Sequence, residues 1–335
     1  MDKFHLIVAR RGTDPTTEKF LAKACQKRKI EMVIVEADNY DFSKLYRIKN
    51  TDGMYRSSDT PRAIKLAKIL LDSKCVTFHS QLISMQEFND AEKSLEATIL
   101  HQKKKLPIIK TIFDITTDRR LLRNYVNYLG GFPIIIKALG GYGGTGVMKV
   151  ESFESLVSIC DHLCQRHQDT AYIMRQFIEH AEQARITVLG SRVVDSISYK
   201  KVRGDFRSNV GAKRIVAPKK FPPEIEKLAV EAVNVLSLEF GGVDILVSQD
   251  GKFHLAEVNF PCPFAASQVV TGTDIAGLMI DYLHAKSKQK QNSFIAPVLQ
   301  PTKGKNVLPP AVVSPKAVIL KSKPQTHKLN GTAKK

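Results

Sequence analysis

The sequence predicts a mixed α/β and α+β protein: a small α/β domain with a parallel sheet, then a larger region of antiparallel strands and helices. Three observations carry this. Apolar runs suited to strands alternate with amphipathic, capped segments through about the first 80 residues, the pattern of a parallel sheet with crossover helices. Several longer strand-like runs then follow one another with only short polar connections. Near the end, two apolar runs flank Asp250-Gly251, a strong local signal for a two-residue hairpin turn.

In chain order, residues 4–9 form an apolar run consistent with a buried strand. Asp14-Pro15 supplies an N-cap and a first-turn proline for a helix through about Arg28. Glu31–Val35 reads as the second strand, and Asp59-Thr60-Pro61 opens a helix with Ala63, Leu66, Ala67, Leu70 and Leu71 on one stripe. Cys75–Phe78 is a further strand. Glu87 to about Gln102 reads as a helix with Phe88, Leu95 and Ile99 inward and Lys93 near its exposed side. A helix from Asp118 to Leu129, burying Leu121, Leu122, Tyr125, Val126 and Leu129, is ended by Gly130-Gly131.

Phe132–Val150 runs strand, glycine-rich segment, strand. Gly141, Gly143 and Gly146 satisfy GxGxxG, but no helix starts within the glycines, so this is a hairpin flap and not a dinucleotide turn. Backbone amides in such a flap can close over phosphates, with Lys137 on the incoming strand as a point charge. The alternative is an ordinary glycine-rich hairpin with a surface lysine. Phe153 to Arg166 is amphipathic. Cys160 and Cys164 fall on its apolar stripe, so the neighbouring Cys160, His162, Cys164 and His167 read as core packing and not as a zinc site.

Tyr172–Ile178, Arg185–Leu189 and Arg192–Ile197 suggest an antiparallel sheet continuing into the hairpin at 240–259. Gly204–Asn209 is a polar loop between them. Pro222-Pro223 opens a helix with Ile225, Leu228, Ala229, Ala232, Val235 and Leu236 inward, and Thr273 to about Ala285 is the last convincing helix.

The hairpin holds the most specific chemistry. If Asp250-Gly251 forms the turn, Gln249 faces Lys252 and Asp244 lies directly opposite Glu257. Such cross-strand Cβ atoms lie roughly 4.5–5.5 Å apart. Asn259 shares the face of Glu257 because strand side chains alternate. Facing like charges among apolar neighbours are costly, and a hard divalent cation would remove the penalty. Two carboxylates and an amide oxygen suit Mg²⁺ carried with a nucleotide's phosphates. The alternative is two unrelated surface acids on a hairpin of different register.

Composition sets the outer bounds. The 335 residues suffice for one large or two medium domains, with 43% hydrophobic and 25% charged content in the ordinary globular range. No apolar stretch is long enough to span a bilayer and the first residues show no signal-peptide core, so a soluble cytoplasmic protein with no membrane partner is expected. The five scattered cysteines do not suggest a disulfide framework. Of the net charge of +18, residues 286–335 hold eleven lysines and no acid; the rest has 40 basic and 33 acidic residues. This last segment reads as a disordered, basic Lys/Pro-rich tail that could touch RNA, ribosomes or an acidic partner, or none. Homo-oligomerisation stays open.

Taken together and in this order, the motifs resemble the ATP-grasp superfamily, most closely RimK-like carboxylate–amine ligases. The residues carrying the resemblance are Lys137 with Gly140–Gly146, Gln176–Glu179, Arg185, Gly204–Asn209, Gly242–Leu246, Glu257-Val258-Asn259 and Thr271–Ala276. It is specific from Phe132 onward and architectural before that.

The resemblance implies an ATP-grasp fold of two α+β subdomains, 93–174 bearing the lid and 175–285 the metal, preceded by a small α/β domain over 1–92 and followed by the tail at 286–335. Its members activate a carboxylate as an acyl phosphate, which an amine then attacks. It implies that Lys93 and Lys137 hold nucleotide phosphates under Gly143, Gly144, Thr145 and Gly146, and that Gln176, Phe177, Ile178 and Glu179 line the adenine pocket. Arg207 and Asn209 would stabilise the transferring phosphoryl group, and Asp244, Glu257 and Asn259 would hold Mg²⁺, or Mn²⁺. The expected partners are ATP with a small-molecule, peptide or protein carboxylate and amine, the amino acid added being glutamate-like. The rival is a catalytically idle ATP-grasp scaffold binding nucleotide, RNA or an acidic partner.

The chain departs from the pattern at Gln183-Ala184-Arg185, where relatives commonly place an aspartate before the arginine. It departs again at Phe260-Pro261-Cys262-Pro263-Phe264, where they usually run Ser-Pro-Gly. Ser198–Val202 also replaces an arginine-rich segment common in relatives specialised for glutamyl chains. These departures leave the substrates unnamed.

Overall fold

The computed structural model of the chain describes residues 3–12, 15–43, 48–49, 51–71, 75–79, 90–139, 146–166, 170–201, 204–207 and 215–294. The elements in chain order are β1 (His5–Arg10), α1 (Pro15–Lys27), β2 (Glu31–Glu36), β3 (Gly53–Arg56), α2 (Pro61–Leu71), α3 (Asp90–Lys103), β4 (Thr111–Ile112), α4 (Arg119–Leu129), β5 (Ile134–Ala138) and β6 (Val147–Val150). They continue as α5 (Phe153–Arg166), β7 (Tyr172–Gln176), β8 (His180–Leu189), β9 (Arg192–Lys200), β10 (Ile215–Pro218), α6 (Pro223–Val235), β11 (Phe240–Ser248), β12 (Phe253–Asn259), α7 (Ala265–Thr271) and α8 (Ile275–Phe294).

The first sheet is parallel, in the order β2-β1-β3, as the strand–helix alternation requires. Ala63, Leu66, Ala67 and Leu70 of α2 are buried with Ile7, Ala9 and Val35 beneath them. The segment at Cys75–Phe78 does not become a full strand; it joins β3 only through a bridge between Val76 and Gly53.

A four-stranded antiparallel sheet, β4-β7-β5-β6, carries the expected hairpin: β5 pairs β6 with Ile134 opposite Val150 and Lys137 opposite Val147. Asp118 caps α4 by accepting from Arg120 N (2.8 Å) and Leu121 N (3.1 Å), and Gly130 closes it in the left-handed region. Its buried face is Leu122, Val126 and Leu129, with Leu121 and Tyr125 at the margin. Cys160 of α5 is fully buried in the same core, where it packs as a small hydrophobe. Tyr172–Gln176 belongs here, between β4 and β5, and not to the later sheet that the sequence suggested. A strand run alone carries no information about which sheet edge it will join.

The third sheet is antiparallel, β10-β9-β8-β11-β12. Its inner face, with Ile186, Val188, Val243, Ile245 and Leu255, packs on Ile225, Leu228, Ala229, Ala232 and Val233 of α6. Helix α3 presents Ala97, Thr98 and His101 as its buried residues, so its inward stripe is rotated from the expected Leu95 and Ile99. The apolar count misleads there because Thr98 and His101 are buried with hydrogen bonds, to Ser94 O and Ala232 O.

Helix α8 runs nine residues beyond Ala285 to Phe294, past the composition break at Lys286. Lys286 Nζ donates to the carbonyls of Thr77 (2.9 Å) and His79 (3.0 Å) and pairs with Glu239, while Ser287 Oγ donates to Thr51 O (2.6 Å). The basic composition therefore begins inside an anchored helix. Among the described residues no helix is long and apolar enough to cross a membrane.

A candidate phosphate and cation site between two sheets

The site begins with the hairpin of β11 and β12. The turn has three residues, not two: Gly251 N donates to Ser248 O (3.1 Å) and Ser248 N to Lys252 O (2.8 Å). Gly251 adopts φ +80°, the left-handed position such a loop needs. Near the turn Val247 faces Phe253 and Ile245 faces Leu255, one residue out of the expected register. The register then shifts between Asp244 and Ile245, leaving Ala256 as an extra, unpaired residue, and Asp244 meets Glu257 after all. A bulge of this kind re-aims the side chains beyond it. Without it Glu257 would share the face of Leu255, which is buried on α6; with it Glu257 shares the opposite face with Asp244, Gly242 and Asn259.

On that face the charges are compensated in two ways. Arg185, opposite Asp244 on β8, grips it with Nε–Oδ1 2.5 Å and Nη2–Oδ2 2.9 Å. Asp244 and Arg185 are both nearly buried, with side chains 7% and 12% exposed. Burial opposes the charge on Arg185, but Asp244 outweighs it and raises the guanidinium's pKa. Gly242 is required beside them: a Cβ there would stand 2.6 Å from Cys262 Sγ and 3.4 Å from Arg185 Cδ.

Glu257 is compensated from the other sheet. Lys137 Nζ of β5 donates to its Oε2 at 2.7 Å. Burial raises the Glu257 pKa, yet Lys137, Arg175 and Arg185 together hold it below the ordinary carboxylate value. The side chain is 38% exposed, so solvent reaches it. Asn259 donates Nδ2 to Asp244 Oδ2 and to Gly242 O, both at 3.3 Å, which turns its amide oxygen away from them. Oxygen donors of this kind suit a hard divalent cation, so Glu257 and Asn259 fit Mg²⁺. Asp244, with both oxygens in the Arg185 fork, keeps little capacity beyond it.

The adenine-pocket candidates stand at the end of β7 and just after it. Gln176 N donates to Lys110 O (3.0 Å), and Phe177 sits edge-on to Phe206 at 6.5 Å, with Lys149 Nζ 4.9 Å from its ring centre. Glu179 pairs with Lys201 (2.6 Å). Residues 176–179 and 204–207 are thereby brought together, and Ile178 lies between these contacts. Arg207 is held by Asp205, through Nε (3.0 Å) and Nη2 (3.0 Å). Lys93 lies in the first turn of α3, its side chain outside the described set. Gly143, Gly144, Thr145 and Asn209 lie outside the described residues, and Gly146 opens the second arm of the flap with φ +79°. Among the described residues no group of three His, Cys, Asp or Glu side chains could hold a metal by itself.

Sequence reasoning missed Arg175 of β7, which reaches the hairpin through a 3.1 Å bond from Nη1 to Ala256 O. Its signal was available: a charge inside the apolar run Tyr172-Ile173-Met174 is expensive and calls for a reason.

Comparison with known proteins follows this geometry. The model for a RimK-like ATP-grasp domain matches residues 90–283. A probable alpha-L-glutamate ligase of Parasynechococcus marenigrum is 33% identical over 166 residues, 49% of this chain and 35% of that protein. One from Legionella pneumophila is 28% identical over 211 residues, 62% of this chain and 67% of that protein. The chain thus spans from about a third to two thirds of the length of these two relatives. Among solved structures, the ATP-grasp ligase PsnB complexed with minimal precursor, Mg and ADP superposes with a TM-score of 0.65 at 16% identity, covering 86% of this chain and 99% of that one. D-alanine–D-alanine ligase from Bacillus anthracis does so with a TM-score of 0.61 at 16% identity, covering 87% and 99%. The fold is that of the ATP-grasp ligases, and the chain belongs to the RimK-like ATP-grasp family.

Proposed function

We propose that the protein is an ATP- and Mg²⁺-dependent ligase that joins a carboxylate to an amine through an acyl phosphate. The amino acid added is glutamate-like, and the recipient is a small molecule, a peptide or a protein terminus. The observation that carries the proposal is the ion pair from Lys137 to Glu257. It joins the two antiparallel sheets where Glu257 faces Asp244 and lies beside Asn259. The relatives named as alpha-L-glutamate ligases, and PsnB solved with a precursor, Mg and ADP, support the substrate classes.

On this reading residues 1–92, 93–174 and 175–285 serve as three parts around one cleft. Gln176, Phe177, Ile178 and Glu179 receive the adenine. Lys137, with Lys93 and the flap at Gly143–Gly146, receives the phosphates. Glu257 and Asn259 hold Mg²⁺, and Asp244 supports it through the lone pair that Arg185 and Asn259 leave. When bound, the ion neutralises phosphate charge and aligns the γ-phosphoryl group. Arg207 and Asn209 steady the transferring group, a task of positioning and electrostatics that needs no nucleophilic side chain.

The test is a panel of carboxylates and amines scored by ADP release, with product masses measured for the hits. Metal-dependent ADP release with a product heavier by one or more condensed amino acids is expected. Lys137→Ala is expected to abolish the release with the fold intact; unchanged turnover in that variant would remove Lys137 from the chemistry.

A further inference from the structure

A β-bulge leaves one residue's peptide group outside the ladder, and a carbonyl so placed must find a partner if it is buried. At Ala256 that partner is the Nη1 of Arg175, 3.1 Å from the carbonyl oxygen. The same guanidinium donates from Nη2 to Thr98 Oγ1 (3.3 Å), and Thr98 is itself fixed by donating to Ser94 O (2.8 Å). One strand edge is secured beside it: Leu255 N donates to Pro107 O (2.8 Å), and Leu255 O accepts from Ile109 N (3.4 Å). The bulged residue is therefore clamped on both sides of its peptide, by a loop at Leu255 and by an arginine at Ala256.

Holding the charge there is costly. Arg175 is 8% exposed, and its Nε is buried without a hydrogen-bond partner. Burial pulls its pKa down, and the Glu257 carboxylate is the group that works against this. Thr98 and Ala256 O ask only for hydrogen-bond donors, which an uncharged side chain supplies at lower cost. The acid that favours a charge there is Glu257, the next residue along from the clamped carbonyl. Arg175 also shares a sheet face with Lys137, since Ile135 opposes Arg175 and Lys137 lies two residues on.

We propose that Arg175 is the positioning residue of the cation site: by clamping the bulge at Ala256 it fixes Glu257 on the face of Asp244 and Asn259. This rests on Glu257 holding Mg²⁺ as read above. The clamp acts through Glu257, so it should alter metal affinity while sparing the nucleotide pocket.

The experiment uses the full chain and measures ADP affinity in EDTA, then Mg²⁺ half-saturation at saturating ADP, alongside melting temperature. Wild type is read first: if Mg²⁺ does not strengthen its ADP binding, the cation site itself fails and this proposal with it. Given that enhancement, Arg175→Met is expected to keep ADP affinity in EDTA and to raise Mg²⁺ half-saturation by about 10- to 100-fold, the usual effect of losing a partner that orients a ligand. Arg175→Lys, which restores the charge without the fork, is expected to recover part of that loss. Unchanged Mg²⁺ half-saturation in Arg175→Met, or an equal loss with and without metal, overturns the proposal. Should Arg175→Met fail to fold, Thr98→Val removes one anchor of the guanidinium and is expected to shift Mg²⁺ half-saturation severalfold in the same direction; no shift there overturns it equally.

Discussion

Replacing the two facing acids one at a time should have unequal consequences for stability. Asp244→Asn strips the counter-charge from Arg185, whose side chain is 12% exposed and whose fork then faces a neutral amide. Removing one partner of a buried ion pair typically costs about 3–5 kcal/mol because the other charge is left uncompensated. Glu257→Gln leaves Lys137 with a 20% exposed side chain in a cleft that water reaches, where a lost ion pair is worth roughly 0–1 kcal/mol. It also removes a like charge directly opposite Asp244, a gain of roughly 0.2–1 kcal/mol. Glu257→Gln also takes from the buried Arg175 the acid that favours its charge, so it carries a cost, smaller than the several kcal/mol lost in Asp244→Asn, where the two-bond fork to a buried guanidinium is broken. Urea titrations followed by circular dichroism, with midpoint and slope compared for both variants, measure this. Equal destabilisation by the two substitutions would show that the acids are held alike and would refute the division between them.

Two further outcomes follow from the same contacts. The Glu257 carboxyl is held below its ordinary pKa of 4.5 in the folded chain, so its pairing is fully present above about pH 4.5 and fades as pH falls through the folded-state pKa; melting profiles of wild type and Glu257→Gln should converge on acidification below that value. Truncation after Phe294 should leave stability and turnover intact, whereas truncation before Lys286 removes its bonds to Thr77, His79 and Glu239, each charged hydrogen bond worth about 1.5–3 kcal/mol; equal stability of the two truncated chains would remove the end of α8 from the fold.

How far the sequence could be read differs from element to element for physical reasons. The parallel sheet is legible because β1 and α2 each bury a stripe that matches the period of the element, even though β2 buries only Val35. The facing of Asp244 and Glu257 is legible for a partly wrong reason: Asp250-Gly251 predicts a two-residue turn, and the three-residue loop with the bulge at Ala256 restores the same pairing. No pattern in Leu255-Ala256-Glu257 announces that bulge, since the groups that hold it, Arg175, Pro107 and Ile109, lie far from it in sequence. The partner of Asp244 was likewise hidden. Arg185 lies 59 positions away, and only the pairing of β8 with β11 makes them neighbours. Strand β10 and helix α7 escaped because four and seven residues are too few to show a period.

The charge balance of the site bears on what it binds first. Lys137, Arg175 and Arg185 face Asp244 and Glu257, so the described cluster carries one excess positive charge before any ligand arrives. A bare divalent cation entering beside Glu257 meets Lys137 already in place at 2.7 Å and must displace it. On the proposed reading, a nucleotide's phosphates would give Lys137 another partner and free Glu257 for the ion. Nucleotide and metal should therefore bind with positive coupling, each strengthening the other by the same factor. Coupling of this kind is typically about 5- to 150-fold. Calorimetric titration of Mg²⁺ into the protein alone is expected to show weak binding, and titration in the presence of ADP a clear gain. Tight binding of Mg²⁺ without nucleotide would mean that Lys137 is no obstacle to the ion, and the exchange of partners at Glu257 would have to be abandoned.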